Sequence, residues 1–316
     1  MSLNYCSKLT GSLFLGLIIC LAPIAMQAQT RPIRTIILDA GHGGIKSGTS
    51  GLHSLEKNVC LGISLKLGKM IEKEMPEVKL VYIRTADVHV DNRVRAELAN
   101  ASKGDLYVAI HANAMPKLER KKFIGYKTEV YYTGSGKNKK KRTRKVKKYK
   151  TYYVNDVSAK GTETYIWAAD RTEAKGDFVA ERVSEEDSTE FKPDLNDPTF
   201  KAKSLLWTKR YFDKSLLLAT YVEDEFKKGK RLSRGVKQRN EEGIWILQAT
   251  AMPSILVESG FLSNPTEENY LNSKKGQEEV ATSVFNAIKR YRVATEGKAA
   301  VSRTHTPSRT APAKAR

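Results

Sequence analysis

Cysteine is nearly absent from this chain of 316 residues: there are 3, at Cys6, Cys20 and Cys60. Two of them fall in the first 28 residues, which read as a leader, so only Cys60 stays with the mature chain. One thiol excludes an internal disulfide and a cysteine-built zinc site, and leaves stability to core burial. Cys60 lies within a helical apolar pattern and reads as a small buried residue. Histidine is scarce as well, at 5 residues. No CxxC pair and no HExxH helix is present, so no textual zinc motif certifies a metal site. There is no internal repeat, and no apolar run long enough for a comfortable membrane span. Acidic residues are also in short supply, with 35 facing 55 basic ones for a formal net charge of +20. Such an excess favours polyanionic surroundings such as nucleic acid, anionic lipid or acidic glycopolymer, without choosing among them.

What is present suffices for a core. Hydrophobic residues make up 40% of the chain, while 28% charged residues and a mean hydropathy of -0.47 imply a wet surface or wet insertions. Residues 1–28 have the layout of an export signal: Lys8 is positive, residues 13–25 are apolar, and Ala28 is small enough to precede cleavage. Met26 is a poor match to the usual small residue two positions earlier. Ile19 before Cys20 is too bulky for a good lipid-attachment signal.

An apolar run, Ile36-Ile37-Leu38, breaks at Asp39 into the glycine cluster Gly41-His42-Gly43-Gly44, which reads as a buried strand and its loop. Residues 55–75 place Leu55, Val59, Ile63, Leu67, Met70 and Ile71 at mostly helical spacing, ending before Pro76. Ser54 is the expected N-cap, which puts Glu56 in the first turn, aimed back at the His42 loop. A strand over 78–83, a helix over 91–101 and a strand over 106–110 follow, with His111-Ala112-Asn113-Ala114 leaving the third strand. Strand, helix, strand, helix, strand predicts a largely parallel α/β sheet, in which sites form beyond the carboxyl ends of strands. Both His42 and His111 fall there.

From residue 115 to about 203 the pattern degrades. Residues 126–132 and 149–154 alternate as an exposed hairpin, with a basic tip over 137–150, and 162–167 reads as a strand. Residues 170–198 are acidic and suit a loop or a loosely held helix. Order returns with a long helix over 203–228 capped by Gly229, short strands over 243–247 and 254–257, and closing helices over 267–271 and 277–291. The expected fold is α/β: a single domain, 29–292, with a twisted, mostly parallel central sheet flanked by helices and carrying a long insertion, 115–203. The tail, 293–316, lacks periodicity and is expected to be disordered and basic.

Two imidazoles and one carboxylate at separate element ends, His42, Glu56 and His111, have the composition of a catalytic zinc set with a fourth position left for water. Histidines after strands are more often structural, so spacing leaves both readings open. Glu258, ending the apolar strand Ile255-Leu256-Val257, is costly there unless paired or functional. It reads either as a salt bridge to an arginine or as a general base beside a metal.

Taken in order, Ile37-Leu38-Asp39-Ala40-Gly41-His42-Gly43-Gly44, Glu56-Lys57-Asn58, Ile110-His111-Ala112-Asn113-Ala114, Arg234-Gly235-Val236-Lys237-Gln238 and Met252-Pro253-Ser254-Ile255-Leu256-Val257-Glu258-Ser259-Gly260-Phe261 resemble the motifs of the zinc-dependent N-acetylmuramoyl-L-alanine amidases of the amidase 3 type. Arg84, Arg93, Asn100 and the Gly161–Tyr165 stretch match as well. The resemblance implies that His42, Glu56 and His111 bind one Zn²⁺ and that Glu258 is the catalytic carboxylate. It also implies peptidoglycan as substrate, cut at the amide between N-acetylmuramic acid and L-alanine. Asn113 is a candidate for orienting a ligand or substrate. Some relatives of this type carry an inserted helix that covers the zinc until an activator protein moves it. Residues 170–187, with Glu181 or Glu185 as a metal cap, are the candidate here, against the commoner reading of an acidic solvated loop.

The basic run 137–150 is either a solvated tip or a patch held to an anionic wall or membrane surface. Nucleic acid is a poor partner for an exported protein. The expected setting is export with leader cleavage, most readily to a periplasm, for wall remodelling or daughter-cell separation. The alternatives are a zinc peptidase acting on stem peptides and a noncatalytic wall-binding module.

Overall fold

The first strand is buried along all six of its residues because it is the middle of three parallel ones. β1 (Thr35–Ala40) pairs in parallel with β2 (Lys79–Tyr82) on one side and with β3 (Leu106–Asn113) on the other. The computed structural model describes residues 32–186, 197–241 and 243–297. The expected leader, 1–28, and residues 298–316 of the expected tail lie outside the described residues.

Between the strands run α1 (Glu56–Glu74) and α2 (Asn92–Ala101). An antiparallel pair, β4 (Leu118–Thr133) and β5 (Lys140–Val154), follows β3, and then β6 (Thr162–Tyr165) returns to the main sheet. The remaining elements are α3 (Thr172–Glu186), α4 (Pro198–Lys228), β7 (Ser233–Lys237), α5 (Trp245–Ala249), β8 (Ser254–Phe261), α6 (Pro265–Asn272) and α7 (Lys274–Glu296). The sheet runs β2-β1-β3-β8-β6-β7. Its one antiparallel neighbour pair is β6 against β8, so the expected mostly parallel sheet is what forms.

Strand alternation divides the core into two layers. Ile36, Leu38, Val108, Ile110, Ile255 and Val257 face α1, α4 and α7. Ile37, Tyr107, Ala109 and Leu256 face α2, α3 and α5. On α1, Val59, Cys60, Ile63, Leu67 and Ile71 are buried at helical spacing. Each such aliphatic side chain contributes about 1.5–3 kcal/mol. The Cys60 thiol is buried among them, and burial pushes its pKa well up.

Several local expectations give way. Ser54 does not cap α1; Leu55 occupies that position with no side-chain cap. Ser54 is instead claimed by Glu268 of α6, whose carboxylate accepts from its Oγ at 2.7 Å and from the backbone N–H groups of Leu52, His53 and Ser54 at 2.9 Å each. Residues 243–247 are not a strand: Trp245–Ala249 is a short helix, an outcome that a brief apolar run cannot announce. α4 begins five residues earlier than expected, where Asp197 accepts from Phe200 N at 3.0 Å and Pro198 opens the first turn.

α7 continues through Glu296, so residues 293–296 belong to the helix and not to the tail. Glu296 ties it down by accepting from Ile33 N at 2.8 Å and pairing with Arg292. The basic run is not a tip but most of β5, one half of a ribbon 16 and 15 residues long. Nor is the described part of the acidic segment, α3, a loose insert; residues 187–196 of that segment lie outside the described residues. α3 buries Lys175, Val179 and Arg182. Among the described residues no helix is long and apolar enough to cross a membrane.

Candidate active site

The loop after β1 and the first turn of α1 meet at the carboxyl end of β3. Glu56 lies between the two imidazoles: its Oε2 is 3.1 Å from His42 Nε2 and its Oε1 is 2.8 Å from His111 Nδ1. The two rings stand edge to face, with centroids 5.0 Å apart. One donor atom from each of the three residues lies within 4.8 Å of the others, and this is the only such His/Cys/Asp/Glu group among the described residues. Sequence reading and structure agree on which three residues are brought together.

The backbone makes this convergence possible at two glycines. A Cβ on Gly41 would sit 2.5 Å from His111 Cε1. Gly48 has φ +69°, and a Cβ there would lie 2.4 Å from Glu56 Oε2 and 2.6 Å from His42 Cδ2. His42 itself adopts φ 59°, in the left-handed region that side chains occupy only when the surroundings hold them there. Two arginines do the holding. Arg84 donates from Nε to Ala40 O and from Nη2 to Gly41 O, each at 2.8 Å. Arg95 donates from Nη2 to His42 O at 2.6 Å and pairs with buried Asp39, which also accepts from Tyr107 OH.

Glu56 is fixed further by Thr49 N, which donates to Oε2 at 2.8 Å, and Ala112 N, which donates to Oε1 at 3.2 Å. Burial opposes ionisation of Glu56, yet its bonds to His111 and then His42 hold the carboxyl well below the usual carboxylate range. His111 mirrors this: burial works against its charged form, and the bond to Glu56 raises its pKa. A carboxylate flanked by two imidazoles in a buried pocket is a charge arrangement that suits a cation among the three.

Glu258 lies in register with His111 across β3 and β8, and Glu163 in register with Glu258 across β8 and β6. Directly opposed residues share a face, so three titratable side chains form a row across three strands. Their surroundings differ sharply. Glu163 is buried, which opposes its charge, but Lys237, Tyr165 and Arg234 all bond to it and keep its pKa below the usual range. The salt bridge considered for Glu258 has gone to Glu163 instead. Glu258 is only 7% exposed, and its Oε2 has no hydrogen-bond partner among the described residues. Burial pushes its pKa up to about 7, with His111 pulling the other way and Glu56 adding to the rise.

Asn113 stands beside Glu163, its Nδ2 donating to Oε2 at 3.5 Å, and not against the three-residue set. Glu163 went unmarked in the sequence. The only signal was its place in the Gly161–Tyr165 match, and nothing there says that Arg234 and Lys237, more than 70 positions on, would pair with it.

A cavity of about 290 Å³ opens over His42 and His111, walled by Asp91, Ile244, Trp245 and Leu256. Across Trp245 lies a larger one of about 580 Å³, lined by Arg93, Glu97, Asn100 and Phe178 together with Glu181. Glu181 is therefore in the neighbouring cavity and not among His42, Glu56 and His111, and the side chain of Glu185 lies outside the described residues. The reason is topological. β6 runs antiparallel to β8, away from the site, and delivers α3 to the opposite end of the sheet. There Lys175 Nζ donates to Leu247 O at 2.7 Å, Thr250 O at 2.6 Å and Ser254 Oγ at 3.2 Å, beneath the start of β8.

Comparison with known proteins agrees with this architecture. Residues 36–290 match the amidase 3 family model, described as N-acetylmuramoyl-L-alanine amidase. N-acetylmuramoyl-L-alanine amidase AmiC of Escherichia coli is 30% identical over 272 residues, covering 83% of this chain and 54% of that protein. The chain thus spans about half of that relative's length. The germination-specific N-acetylmuramoyl-L-alanine amidase of Bacillus subtilis is 25% identical, covering 82% of this chain and 79% of that protein. Among solved structures, the N-acetylmuramoyl-L-alanine amidase from Clostridium difficile 630 superposes with a TM-score of 0.52 at 25% identity, covering 83% of this chain and 97% of the other. With the family model spanning nearly the whole described chain, from β1 to α7, this protein belongs to the amidase 3 family of N-acetylmuramoyl-L-alanine amidases.

Proposed function

We propose that this chain is a zinc-dependent amidase that hydrolyses the bond between the lactyl group of N-acetylmuramic acid and L-alanine of peptidoglycan. The observation that carries the reading is the convergence of His42, Glu56 and His111 beside a buried, unpartnered Glu258 in a chain of this family. Two imidazole nitrogens and one carboxylate oxygen are the donors zinc takes in catalytic sites. Their separations of 2.8 and 3.1 Å and the 4.8 Å limit on the set fit ligands bound at about 2.0–2.2 Å around one ion.

Bound there, zinc supplies Lewis acidity toward a water and toward the amide carbonyl. The chain supplies the rest. Glu258, as carboxylate, takes the proton from the attacking water as the C–O bond forms. It then returns that proton to the L-alanine nitrogen as the C–N bond breaks, leaving a lactyl carboxyl and a free amine. A carboxyl with a pKa of about 7 exchanges a proton in either direction near neutrality. Arg234 and Lys237 neutralise Glu163, so Glu258 is the proton-exchanging member of the row. Arg84 and Arg95 keep the His42 loop in its left-handed turn while substrate occupies the cavity over the two imidazoles. Wall remodelling or daughter-cell separation after export to the periplasm is the setting in which we place this chemistry, on the leader-like composition of residues 1–28. The reading assigns no metal-capping role to Glu181.

The test is digestion of purified peptidoglycan followed by mass spectrometry, using native chain, chelator-treated chain and Glu258→Ala. Stem peptides with a free L-alanine amine, lost in both controls, are the expected products. Cleavage at any other bond overturns the reading.

A further inference from the structure

The β4–β5 ribbon takes no part in the chemistry above, yet it holds most of the protein's charge excess. Residues 118–154 contain 14 Lys and Arg and 2 Glu, a difference of +12 within a chain total of +20. Of the fourteen, only Lys121 and Arg144 are ion-paired among the described residues, with Glu119 and Glu129. Almost every residue of both strands is exposed. Like charges even stand directly opposite, at Lys122 and Lys150, which weakens a two-stranded ribbon that is marginal in water to begin with.

Such a ribbon is destabilised by its own charge unless something negative lies along it. Its root shows where. β4 starts five residues after Asn113, on the continuation of the strand that carries His111, and Met115 N donates to Ser263 Oγ just beyond β8. On the return, Asn264 Nδ2 donates to Val157 O at 2.8 Å. The ribbon is thus rooted on the rim that holds the candidate active site. Fifteen extended residues reach about 50 Å, far beyond a single disaccharide-peptide unit.

The aromatic residues indicate the kind of polymer. Cross-strand register places Tyr126, Tyr132, Phe123 and Tyr149 on one face with Lys141, Lys145 and Lys147, and Tyr131 on the other with Arg142 and Arg144. Phe123 contacts Tyr126 and Tyr149 edge to face, with centroids 5.3 and 5.9 Å away. Tyr126 and Tyr132 are 62% and 58% exposed. A bilayer selects one apolar face and one charged face. Here rings and cations are interleaved on both, a pattern that suits a chain carrying flat sugar faces and carboxylates.

We propose that this ribbon is a substrate arm that binds the peptidoglycan polymer itself, gripping stem-peptide carboxylates with its cations and sugar faces with its tyrosines, and so holds the strand beside the active site. The inference rests on the amidase reading for its choice of polymer.

Binding is measured by co-sedimentation with purified sacculi at low and high salt, in an E258Q background so that the sacculi stay intact. The arm variant carries Lys140, Lys141, Arg142, Lys145, Lys147 and Lys148 changed to Gln. A control of equal charge carries Gln at Lys69, Lys73, Lys79, Lys201, Lys209 and Lys274. Each exposed pair is worth little, but six together give an expected loss of affinity of about tenfold or more in the arm variant. The control stays within about twofold, and salt releases the parent protein. With Glu258 restored, both variants cleave a soluble disaccharide-peptide as the parent does.

Equal loss in both variants shows that net charge alone acts and overturns the arm. So does unchanged sacculus binding, preferential binding to anionic phospholipid vesicles, or an arm-dependent dimer with sacculus binding intact. If no protein cleaves the soluble fragment while arm-dependent sacculus binding persists, the amidase reading fails and the arm stands.

Discussion

Glu258→Gln separates activity from stability in opposite directions. The substitution keeps the shape of the side chain and removes its ionisation. In the metal-free chain the carboxyl is raised from 4.5 to about 7 by burial. At about 1.4 kcal/mol for each tenfold change in proton affinity, holding it ionised above pH 7 costs the native state about 3 kcal/mol. The sign follows from proton counting. Between pH 4.5 and 7 the folded chain binds more protons than the unfolded one, so this carboxyl's contribution to stability is full below 4.5 and is lost as pH rises through 7. Glutamine has no such loss. A buried amide with an unsatisfied donor gives back about 1–3 kcal/mol, so a smaller net gain remains. The measurement is thermal unfolding of both proteins with chelator from pH 4 to 8. The advantage of the variant is expected to grow with pH, reaching a few degrees at pH 8. Hydrolysis of peptidoglycan by the zinc-loaded variant should meanwhile fall by about 10²–10⁴. A variant whose relative stability is flat with pH refutes the buried, ionisable Glu258; a variant with parental activity refutes its part in proton transfer.

Gly41→Ala places a methyl 2.5 Å from the His111 ring, so zinc affinity, read by competition with a chromophoric chelator, is expected to fall at least about tenfold as the imidazole is displaced. Glu163→Gln leaves Arg234 and Lys237 without their shared carboxylate, and thermal unfolding should register a loss of about 3–5 kcal/mol, reduced by the partial exposure of both cations. Lys175→Met strips Leu247 O and Thr250 O of their donor, and is expected to lower stability by about 1–3 kcal/mol without raising activity on a soluble disaccharide-peptide. A clear rise in that activity would restore α3 as an inhibitory element.

The parallel half of the sheet was legible because each strand is short, apolar and followed by a helix with its own stripe. The convergence of His42, Glu56 and His111 was legible because Asp39-Ala40-Gly41-His42 and Ile110-His111 both mark strand ends, whereas their reading as ligands of one ion came from the family motifs. What stayed hidden depends on distant partners. Ser54 looks like an N-cap until Glu268, 214 positions away, takes its hydroxyl. Trp245–Ala249 has the composition of a strand, and only the contacts of Ile246, Leu247 and Ala249 with the layer of α2 and α3 make it a helix. α3 looked loose because its acidic residues dominate the text, whereas the cationic Lys175 and Arg182 anchor it. Ser233–Lys237, too polar to read as a strand, pairs because β6 offers it an edge.

The register of His111 against Glu258 has a further consequence for how the protein becomes competent. All three metal-binding candidates lie within the first 111 residues, in the loop after β1, the first turn of α1 and the end of β3, with β2 and α2 between the last two, while Glu258 arrives 147 positions later (258 − 111) on β8. The donors can therefore gather only once β3 is laid beside β1, and Glu258 joins them only when β8 is laid beside β3. A fragment ending before β8 would therefore carry the whole candidate donor set without the carboxyl group that the proposed reaction needs.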